Sequence, residues 1–301
     1  MGNKARILID GEQLLLDIPG KWKLHSNRSN LLSPGDQVEI ELERGSWRLR
    51  VIIPRRNEFT RRATGAGRTP SAKAQPQSLA VNLDLVLVMA SIADPVTPPG
   101  QVDRLLATAE LGGVNPVLVV NKIDLAEDDD IEFWTQNYSG AADELLFTSA
   151  VKGIGLDILT DLIKNKMVLL VGASGVGKSS LVNRIDPNLN LKTTRVSVVT
   201  GKGRHATSSS EFFPLAGGGW IADTPGLREC SPWGMTPENI DQAFPEIRRL
   251  KGNCKFRNCR HRSEMDCIVR QVVGTKRLPE IRYIGYLKLL AEAELYAGFK
   301  V

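Results

Sequence analysis

The sequence from Met167 to Ser180 reads MVLLVGASGVGKSS. The apolar run at its start is typical of a buried strand, and the turn after it matches the pattern G-x-x-x-x-G-K-[ST]. Glycines let backbone N–H groups point into such a turn, and the helix start behind it adds positive potential, so the turn suits phosphate oxygens. We therefore predict a phosphate-binding loop. Its residues are Gly172, Ala173, Ser174, Gly175, Val176, Gly177, Lys178, Ser179 and Ser180.

Two side chains of this loop have expected chemical roles. Lys178 is predicted to reach the terminal phosphates and to act in catalysis, and the Ser179 hydroxyl is predicted to hold Mg²⁺. A loop of this kind accepts any nucleoside triphosphate, so the base must be selected elsewhere in the chain.

A second motif, NKID at residues 121–124, directly follows the apolar run at 116–120. Ligands of open α/β sheets bind at the carboxyl ends of the strands, where this motif would lie. The carboxylate of Asp124 can accept two parallel hydrogen bonds, and guanine offers a ring N–H beside an exocyclic amine, whereas adenine does not. We predict that Asp124 selects guanine and that Asn121 and Lys122 belong to the same nucleotide-binding site.

Two further motifs follow predicted strands. The TSA sequence at 148–150 resembles the loop of GTPases whose backbone N–H contacts guanine O6, so Ser149 and Ala150 join the predicted base site. The DTPG sequence at 223–226 matches the D-x-x-G of GTPases, in which the carboxylate, here Asp223, holds Mg²⁺ through water and the glycine N–H, here Gly226, senses the γ-phosphate.

The polar segment 192–210, between the phosphate loop and DTPG, has the composition of a switch loop. Thr207 within it is predicted to ligate Mg²⁺ only while the γ-phosphate is present. Loss of this ligand after hydrolysis would explain a change of the segment from order to disorder.

The order of these motifs is unusual. GTPases ordinarily carry the phosphate loop, switch Thr and D-x-x-G before N-K-x-D and S-A, whereas here N-K-I-D and T-S-A come first. Apolar runs of four to seven residues alternate with helical patterns from residue 83 to the helix near 178, which indicates a parallel α/β sheet covered on both faces. The same sheet forms if the chain is cut before 83 and the old termini are joined near 165. We predict a circular permutation.

Three thiols and an imidazole lie close together near the C-terminus. Cys254, Cys259, His261 and Cys267 form a Cys₃His set, which is common for a structural zinc ion, although another metal that prefers soft ligands fits the same donors. Three unlinked thiols are the weaker interpretation, because this stretch has too few apolar residues to pack without a metal. Cys230 is predicted to lie outside the site. A last helix at 278–296 is predicted to pack through the face that carries Ile281, Ile284, Leu287 and Leu290.

The first 60 residues show short strand patterns separated by turns. They predict an OB-type β-barrel, which pattern alone does not separate from an SH3-like barrel. Residues 63–78 contain no large apolar side chain and are predicted to form a linker. We therefore predict three domains: 1–64, an OB-type nucleic-acid-binding domain; 65–230, a circularly permuted P-loop GTPase domain; and 231–301, a zinc-binding, mainly helical domain.

The charge distribution predicts a polyanionic partner. The net charge is +5, but residues 44–73 hold nine basic residues against one acidic residue, and residues 248–277 hold ten against two. Nucleic acid is the commonest partner of such segments. The apolar runs are too short for a membrane helix, and the four cysteines suggest metal binding in a reducing compartment, so we expect a cytoplasmic monomer without membrane association.

Together, the permuted order, the phosphate loop, DTPG, GRHxT at 203–207, the Cys₃His spacing and the β-rich start resemble the RsgA (YjeQ) family of ribosome-dependent GTPases. The resemblance implies GTP and GDP as ligands, Mg²⁺, zinc, and slow GTP hydrolysis stimulated by the small (30S) ribosomal subunit during its late maturation, with binding to its rRNA. Ala206 stands where the family often has another Thr, and the linker after Arg62 is expanded.

Leu227 follows DTPG where Ras-like enzymes have a Gln that orients water, so unaided hydrolysis is expected to be slow. His205 is the nearest polar candidate for positioning the water, and the resemblance gives this role to the His of GRHxT. A rival hypothesis is a nucleic-acid-binding module in which GTP is a structural ligand. An ATP-driven enzyme is disfavoured by Asp124.

Overall fold

The computed structural model describes residues 4–9, 12–18, 31–43, 45–63, 75–191, 211–224 and 230–298. The strands are β1 (Lys4–Ile9), β2 (Glu12–Asp17), β3 (Val38–Glu43), β4 (Ser46–Ile52), β5 (Glu58–Arg62), β6 (Pro76–Val81), β7 (Leu85–Ser91), β8 (Pro116–Asn121), β9 (Glu144–Thr148), β10 (Met167–Gly172), β11 (Glu211–Pro214) and β12 (Trp220–Asp223). The helices are α1 (Pro99–Leu111), α2 (Asp128–Tyr138), α3 (Leu156–Ile163), α4 (Lys178–Ile185), α5 (Pro245–Lys251), α6 (Ile268–Gln271) and α7 (Glu280–Gly298).

A six-stranded sheet forms the centre of the chain, in the order β11-β12-β10-β7-β8-β9. All neighbours are parallel except β11, which pairs antiparallel with β12 at one edge. β7 and β8 are buried along their whole length, as their unbroken apolar sequences predict for strands covered on both faces. The predicted α/β class is confirmed.

Alternate residues of the central strands serve two apolar layers. Val86 and Val88 pack in a layer with residues of α1 and α2, whereas Leu85 and Leu87 pack in a layer with residues of α3 and α4. This alternation is the two-residue period of a strand, and it leaves the carboxyl edge of the sheet free to carry loops.

The strand that leads into the phosphate loop, β10, is inserted between β12 and β7. The NKID and TSA motifs therefore precede the phosphate loop in sequence and yet lie beside it in space. This is the arrangement that a circular permutation requires.

The N-terminal strands form a separate four-stranded sheet in the order β1-β2-β4-β3. The β1–β2 and β3–β4 pairs are antiparallel, and β2 meets β4 through one parallel pair, Asp17 with Arg48. A closed barrel is not formed by the strands that the structure describes in this part of the chain. Within the predicted linker, residues 64–74 lie outside the described residues, but Pro76 to Ser78 belong to β6, which pairs with β5, so the linker prediction was wrong at that end.

The C-terminal segment has an apolar core built mainly from residues 235–244, α5, α7 and the loop that carries Cys259 and Cys267, and Ala107 of α1 joins it. The predicted last helix exists, and Leu287 and Leu290 of its predicted face pack against the core, but the prediction was wrong at Ile284. Ile284 is 42% exposed, and the buried face is rotated toward Arg282, Gly285, Tyr286, Leu289, Leu290 and Ala293.

The cause of this rotation is Arg282, which is completely buried and ion-paired. Its guanidinium donates to Asp103 of α1 at 2.5 Å and to Glu246 of α5 at 2.8 and 3.2 Å. Tyr138 of α2 donates to the same Asp103 at 3.1 Å. Burial disfavours the charge, but Glu246 and Asp103 raise the pKa of Arg282. A buried charge is tolerated only with such partners, so the helix turns its arginine inward.

Candidate nucleotide site and metal site

Asn121 joins three of the predicted motifs at the carboxyl edge of the sheet. Its Nδ2 donates to the carbonyl of Val176 in the phosphate loop at 2.9 Å. Its Oδ1 accepts from the Thr148 hydroxyl at 3.1 Å and from the Ala150 N–H at 3.2 Å. The side chain is buried, so these bonds are protected from water. NKID, TSA and the phosphate loop therefore form one continuous site.

Gly177 is required for this junction. Its φ is +97°, a backbone conformation that L-residues rarely adopt, and a Cβ there would lie 2.3 Å from Asn121 Nδ2. The glycine pattern of the loop thus also permits the contact that fixes the base-reading motif beside it.

Lys178 lies within the loop that it is predicted to serve. Its Nζ donates to the carbonyls of Gly172 at 3.0 Å and Ala173 at 2.8 Å. Burial lowers the pKa of the Lys178 ammonium, and the carboxylate of Asp223 acts in the opposite direction. The ammonium is therefore held at the centre of the loop, where it can meet phosphate oxygens.

Asp223 stands opposite the phosphate loop at the end of β12. The Ser179 hydroxyl donates to its Oδ2 at 3.4 Å, whereas its Oδ1 is buried and has no hydrogen-bond partner among the described residues. Burial raises the pKa of Asp223, against the effects of Lys178 and of the bond from Ser179. A hydroxyl and an unsatisfied carboxylate oxygen are the donors that Mg²⁺ prefers, so the residues fit that ion.

Thr224 anchors this motif to the sheet. Its hydroxyl donates to the carbonyl of Leu170 in β10 at 2.9 Å, and its N–H donates to the same carbonyl at 3.3 Å. Asp223 is thereby placed beside the phosphate loop although more than forty residues separate them in sequence.

Asp124, which is predicted to select the base, lies beside Ser149 and Lys122. The Ser149 hydroxyl donates to Asp124 Oδ1 at 2.5 Å. Lys122 donates to the carbonyl of Asp94, and burial lowers the pKa of the Lys122 ammonium against the charges of Asp94 and Asp124. The sequence predictions did not include Asp94, which lies in the loop after β7. Its place after the carboxyl end of a central strand is the sequence feature that could have indicated it.

Several predicted residues cannot be placed. His205, Thr207, Gly226 and Leu227 lie outside the described residues, so their roles remain predictions.

The four predicted metal ligands lie together. The ligand atoms of Cys254, Cys259, His261 and Cys267 are all within 4.8 Å of one another. His261 Nδ1 is 3.3 Å from Cys267 Sγ and 3.6 Å from Cys254 Sγ, so this nitrogen faces the thiols. Burial raises the pKa of the Cys259 thiol to about 12. Three sulfurs and one imidazole nitrogen within this distance fit a tetrahedral zinc ion.

Neighbouring side chains orient these ligands. His261 Nε2, which is buried without a hydrogen-bond partner among the described residues, lies 3.9 Å from Asp241 Oδ2. The hydroxyls of Tyr283 and Tyr286 in α7 donate to the carbonyls of His261 at 2.6 Å and Arg260 at 2.8 Å. A carboxylate behind a ligating imidazole is a common feature of metal sites. Cys230 does not belong to this cluster, and its Sγ is hydrogen-bonded to Thr108 Oγ1 at 3.3 Å.

The strand of the phosphate loop lies between later and earlier strands of the sheet, and the NKID and TSA motifs lie at the carboxyl edge. This is the fold of a circularly permuted GTPase. The family model "RsgA GTPase" matches residues 52–233. The chain belongs to the RsgA GTPase family, and it is a GTP-hydrolysing enzyme.

Relatives cover nearly the whole chain. "Small ribosomal subunit biogenesis GTPase RsgA" of Bacteroides fragilis is 35% identical over 290 residues, which are 95% of this chain and 92% of the relative. The protein of that name from Phocaeicola vulgatus is 36% identical over 290 residues, with the same coverage of 95% and 92%.

Two solved structures are also similar. YjeQ from Thermotoga maritima superposes with a TM-score of 0.73 at 29% identity, covering 94% of this chain and 91% of that one. YloQ, described as a circularly permuted GTPase, superposes with a TM-score of 0.69 at 27% identity, covering 98% and 92%. Within the described residues, no helix has both the length and the apolar character needed to cross a bilayer.

Proposed function

We propose that this enzyme binds GTP at the site around Asn121 and hydrolyses it while bound to the small ribosomal subunit, during late maturation of that subunit. The observation that carries the proposal is the junction at Asn121, which brings NKID, TSA and the phosphate loop into one site. The names of the Bacteroides fragilis and Phocaeicola vulgatus relatives support the ribosomal role.

In the proposed reaction, water attacks the γ-phosphorus, the bond from that phosphorus to the bridging oxygen breaks, and GDP and phosphate leave. Lys178 and the loop N–H groups would hold the phosphates, and Asp124 with Ser149 and Ala150 would hold guanine. Ser179, Asp223 and Thr207 would hold Mg²⁺, which neutralises charge on the phosphate oxygens when bound. His205 would position the water.

The segment that follows DTPG is suited to pass on the nucleotide state. Ser231 donates to Glu292 of α7 at 2.6 Å, and Arg104 of α1 pairs with the same carboxylate at 2.5 Å. The carbonyl of Ser231 accepts from the Arg62 N–H of β5 at 2.9 Å. A movement of DTPG would therefore reach both β5 and α7.

The proposal extends to the remaining parts of the chain. The N-terminal strands would form an OB-type RNA-binding domain over 1–64, followed by the GTPase domain over 65–230. Residues 231–301 would form the zinc domain, and the enzyme would act as a monomer in the cytoplasm. Trp47, which is 41% exposed, is available for stacking on a base, whereas Phe59 is buried.

The substitution His205→Ala tests the catalytic role. Because Leu227 offers no polar group to orient water, stimulated hydrolysis should fall about 100-fold, while the Kd for GTP stays unchanged. The measurement is GTP turnover with and without added small ribosomal subunits. If small subunits stimulate the His205→Ala variant as strongly as the wild-type enzyme, the role of His205 is contradicted. If small subunits do not raise the turnover of the wild-type enzyme, the rival hypothesis of a nucleic-acid-binding module is favoured.

The substitution Asp124→Asn tests base selection. The amide of the variant would have one acceptor and one donor in place of two acceptors. This mismatches the ring N–H and amino group of guanine but matches the ring N–H and the adjacent carbonyl of xanthine. We expect the Kd of the variant for GDP to rise about 100-fold, and its Kd for XDP to be lower than its Kd for GDP. Competition titrations with a fluorescent nucleotide would measure both, with Asp128→Asn as a control on an exposed carboxylate. Unchanged preference for guanine would contradict the assignment.

A further inference from the structure

Half of the basic side chains of the cationic C-terminal segment, residues 248–277, are paired with carboxylates in the fold. Its ten basic side chains divide into those with a carboxylate partner and those without. The paired ones are Arg248 with Glu110, Lys251 with Asp241, Lys255 with Asp266, Arg260 with Glu238 and Glu294, and Arg262 with Glu294. Arg249, Arg257, Arg270, Lys276 and Arg277 have no carboxylate partner in the part of the chain that the structure describes.

Three of these five unpaired cations line one cleft. Arg249, Lys276 and Arg277 are exposed and face a cleft of about 230 Å³ whose opposite wall is Ser139 and Gly140, just after α2. The cleft thus lies where the GTPase sheet's helical layer meets the C-terminal segment. Its lining contains one carboxylate, Glu246, which is turned toward Arg282 at 2.8 Å. The cleft is therefore net cationic.

The walls of this cleft are fixed to each other. Glu246 lies in its lining and is joined through Arg282 to Asp103 of α1. Tyr138, the residue before Ser139, donates to the same Asp103, so a buried hydrogen-bonded network connects the two walls. Arg249 lies close over the opposite wall, with Nη1 3.8 Å from the position of a Cβ on Gly140. The backbone positions that carry the cations are thereby fixed, so only side-chain freedom is lost when an anion binds.

The chemistry of the cleft favours a chain of phosphates over a single anion. Guanidinium groups bind phosphate through two parallel hydrogen bonds, and the Ser139 hydroxyl adds a neutral donor. The three cations are exposed, so one small anion would gain little from them in water. A polyanion that contacts all three releases several counterions at once, which makes its binding favourable.

We propose that this cleft, formed by Arg249, Lys276, Arg277, Ser139 and Gly140, binds the RNA phosphate backbone of the small ribosomal subunit. This inference rests on the proposed function, because the RNA in question is the rRNA of the small subunit to which the enzyme is proposed to bind. It adds a defined RNA contact at the junction of the GTPase and C-terminal parts.

The test compares two triple variants of equal charge change in the full chain. The first, Arg249→Gln with Lys276→Gln and Arg277→Gln, removes the cations of the cleft. The second, Lys255→Gln with Arg260→Gln and Arg262→Gln, removes three exposed cations of the same segment that are already paired. Binding to small ribosomal subunits purified from Bacteroides fragilis is measured by pelleting, with a non-hydrolysable GTP analogue, at several KCl concentrations.

We expect the cleft variant to bind about 10- to 100-fold more weakly and its salt dependence, the slope of log K against log salt, to fall by about 2–3. The paired-cation control should change both quantities much less. Basal GTP hydrolysis and the thermal midpoint should be unchanged in the cleft variant, which shows that it is folded.

Three results would overturn the inference. Wild-type affinity in the cleft variant would exclude the cleft while leaving the proposed function intact. Weaker binding with an unchanged salt slope would indicate a protein contact instead of RNA phosphate. Failure of the wild-type enzyme to bind small subunits would contradict the proposed function, and the cleft proposal with it.

A second pair of variants leaves every cation in place. A methyl group on Gly140 would meet its neighbours at 3.6 and 3.8 Å, which is ordinary van der Waals contact, so Gly140→Ala should fold and bind normally. Gly140→Asp places a carboxylate beside Arg249 and should weaken binding about tenfold through neutralisation. Equal affinity of the two variants would contradict the role of the cleft.

Discussion

The substitution Cys267→Ser, or removal of the metal by a chelator, is expected to unfold the segment between α5 and α6 and to expose the core beneath it. Among the described residues from 252 to 267 there is no helix or strand, and Phe256 and Met265 are 45% and 72% exposed. By contrast, Cys259, His261 and Cys267 are buried in the C-terminal core. The three ligands are therefore the buried side chains through which this loop enters the core, whereas the ion pairs of Arg260 and Arg262 lie at its exposed surface.

The expected size of the effect follows from the energetics of structural zinc, which contributes about 10–16 kcal/mol to the folding of small zinc-dependent units. Metal content measured by atomic emission should fall from one zinc per chain to none in Cys267→Ser. Limited proteolysis should then cut the loop rapidly. The matched control is Cys230→Ser, a buried thiol outside the cluster, which should keep its zinc. Full zinc content in Cys267→Ser, or protease resistance after chelation, would contradict the assignment.

The substitution Arg282→Met is expected to lower the free energy of unfolding by about 3–5 kcal/mol. The methionine leaves the carboxylates of Asp103 and Glu246 buried without their cation, and two such groups repel each other in a medium of low dielectric. The affected contact joins α1 of the GTPase sheet to α5 and α7. The docking of the C-terminal segment should therefore weaken together with the stability.

Arg248→Met is the matched control, because Arg248 also joins α5 to α1 through a carboxylate, Glu110, but is 43% exposed. An exposed pair contributes at most about 1 kcal/mol, so the control should shift the urea midpoint only slightly. Urea titrations followed by tryptophan fluorescence would measure both variants. Equal shifts would show that burial does not set the strength of the Arg282 network.

Much of the nucleotide site could be predicted because each motif holds its chemistry within a few adjacent residues. NKID, TSA, DTPG and the phosphate loop each follow a strand, and parallel strands bring their carboxyl ends to one edge. The three bonds of Asn121 could not be predicted, since no local pattern shows which carbonyl lies opposite its amide. The contact of Lys122 with Asp94 was missed for the same reason.

The face of the last helix shows where pattern reasoning fails. The predicted face carried Ile281, Ile284, Leu287 and Leu290, because apolar side chains usually pack. Leu290 is buried as predicted, yet Ile284 is exposed and Arg282 is buried. The partners of Arg282 lie 36 and 179 residues away, so the sequence offers no sign that its charge is satisfied. In a helix, an unpaired arginine is normally placed in water.

The sequence by itself determined the nucleotide chemistry, the permuted order and the identity of the candidate metal ligands, because these depend on residue types at short spacings. The tertiary structure decided which charges cancel and which remain available. Ion pairing depends on distance in space, and the net charge of residues 248–277 is the same whether its arginines face carboxylates or solvent. Only the fold separates Arg260, which is paired twice, from Arg249, which faces an open cleft.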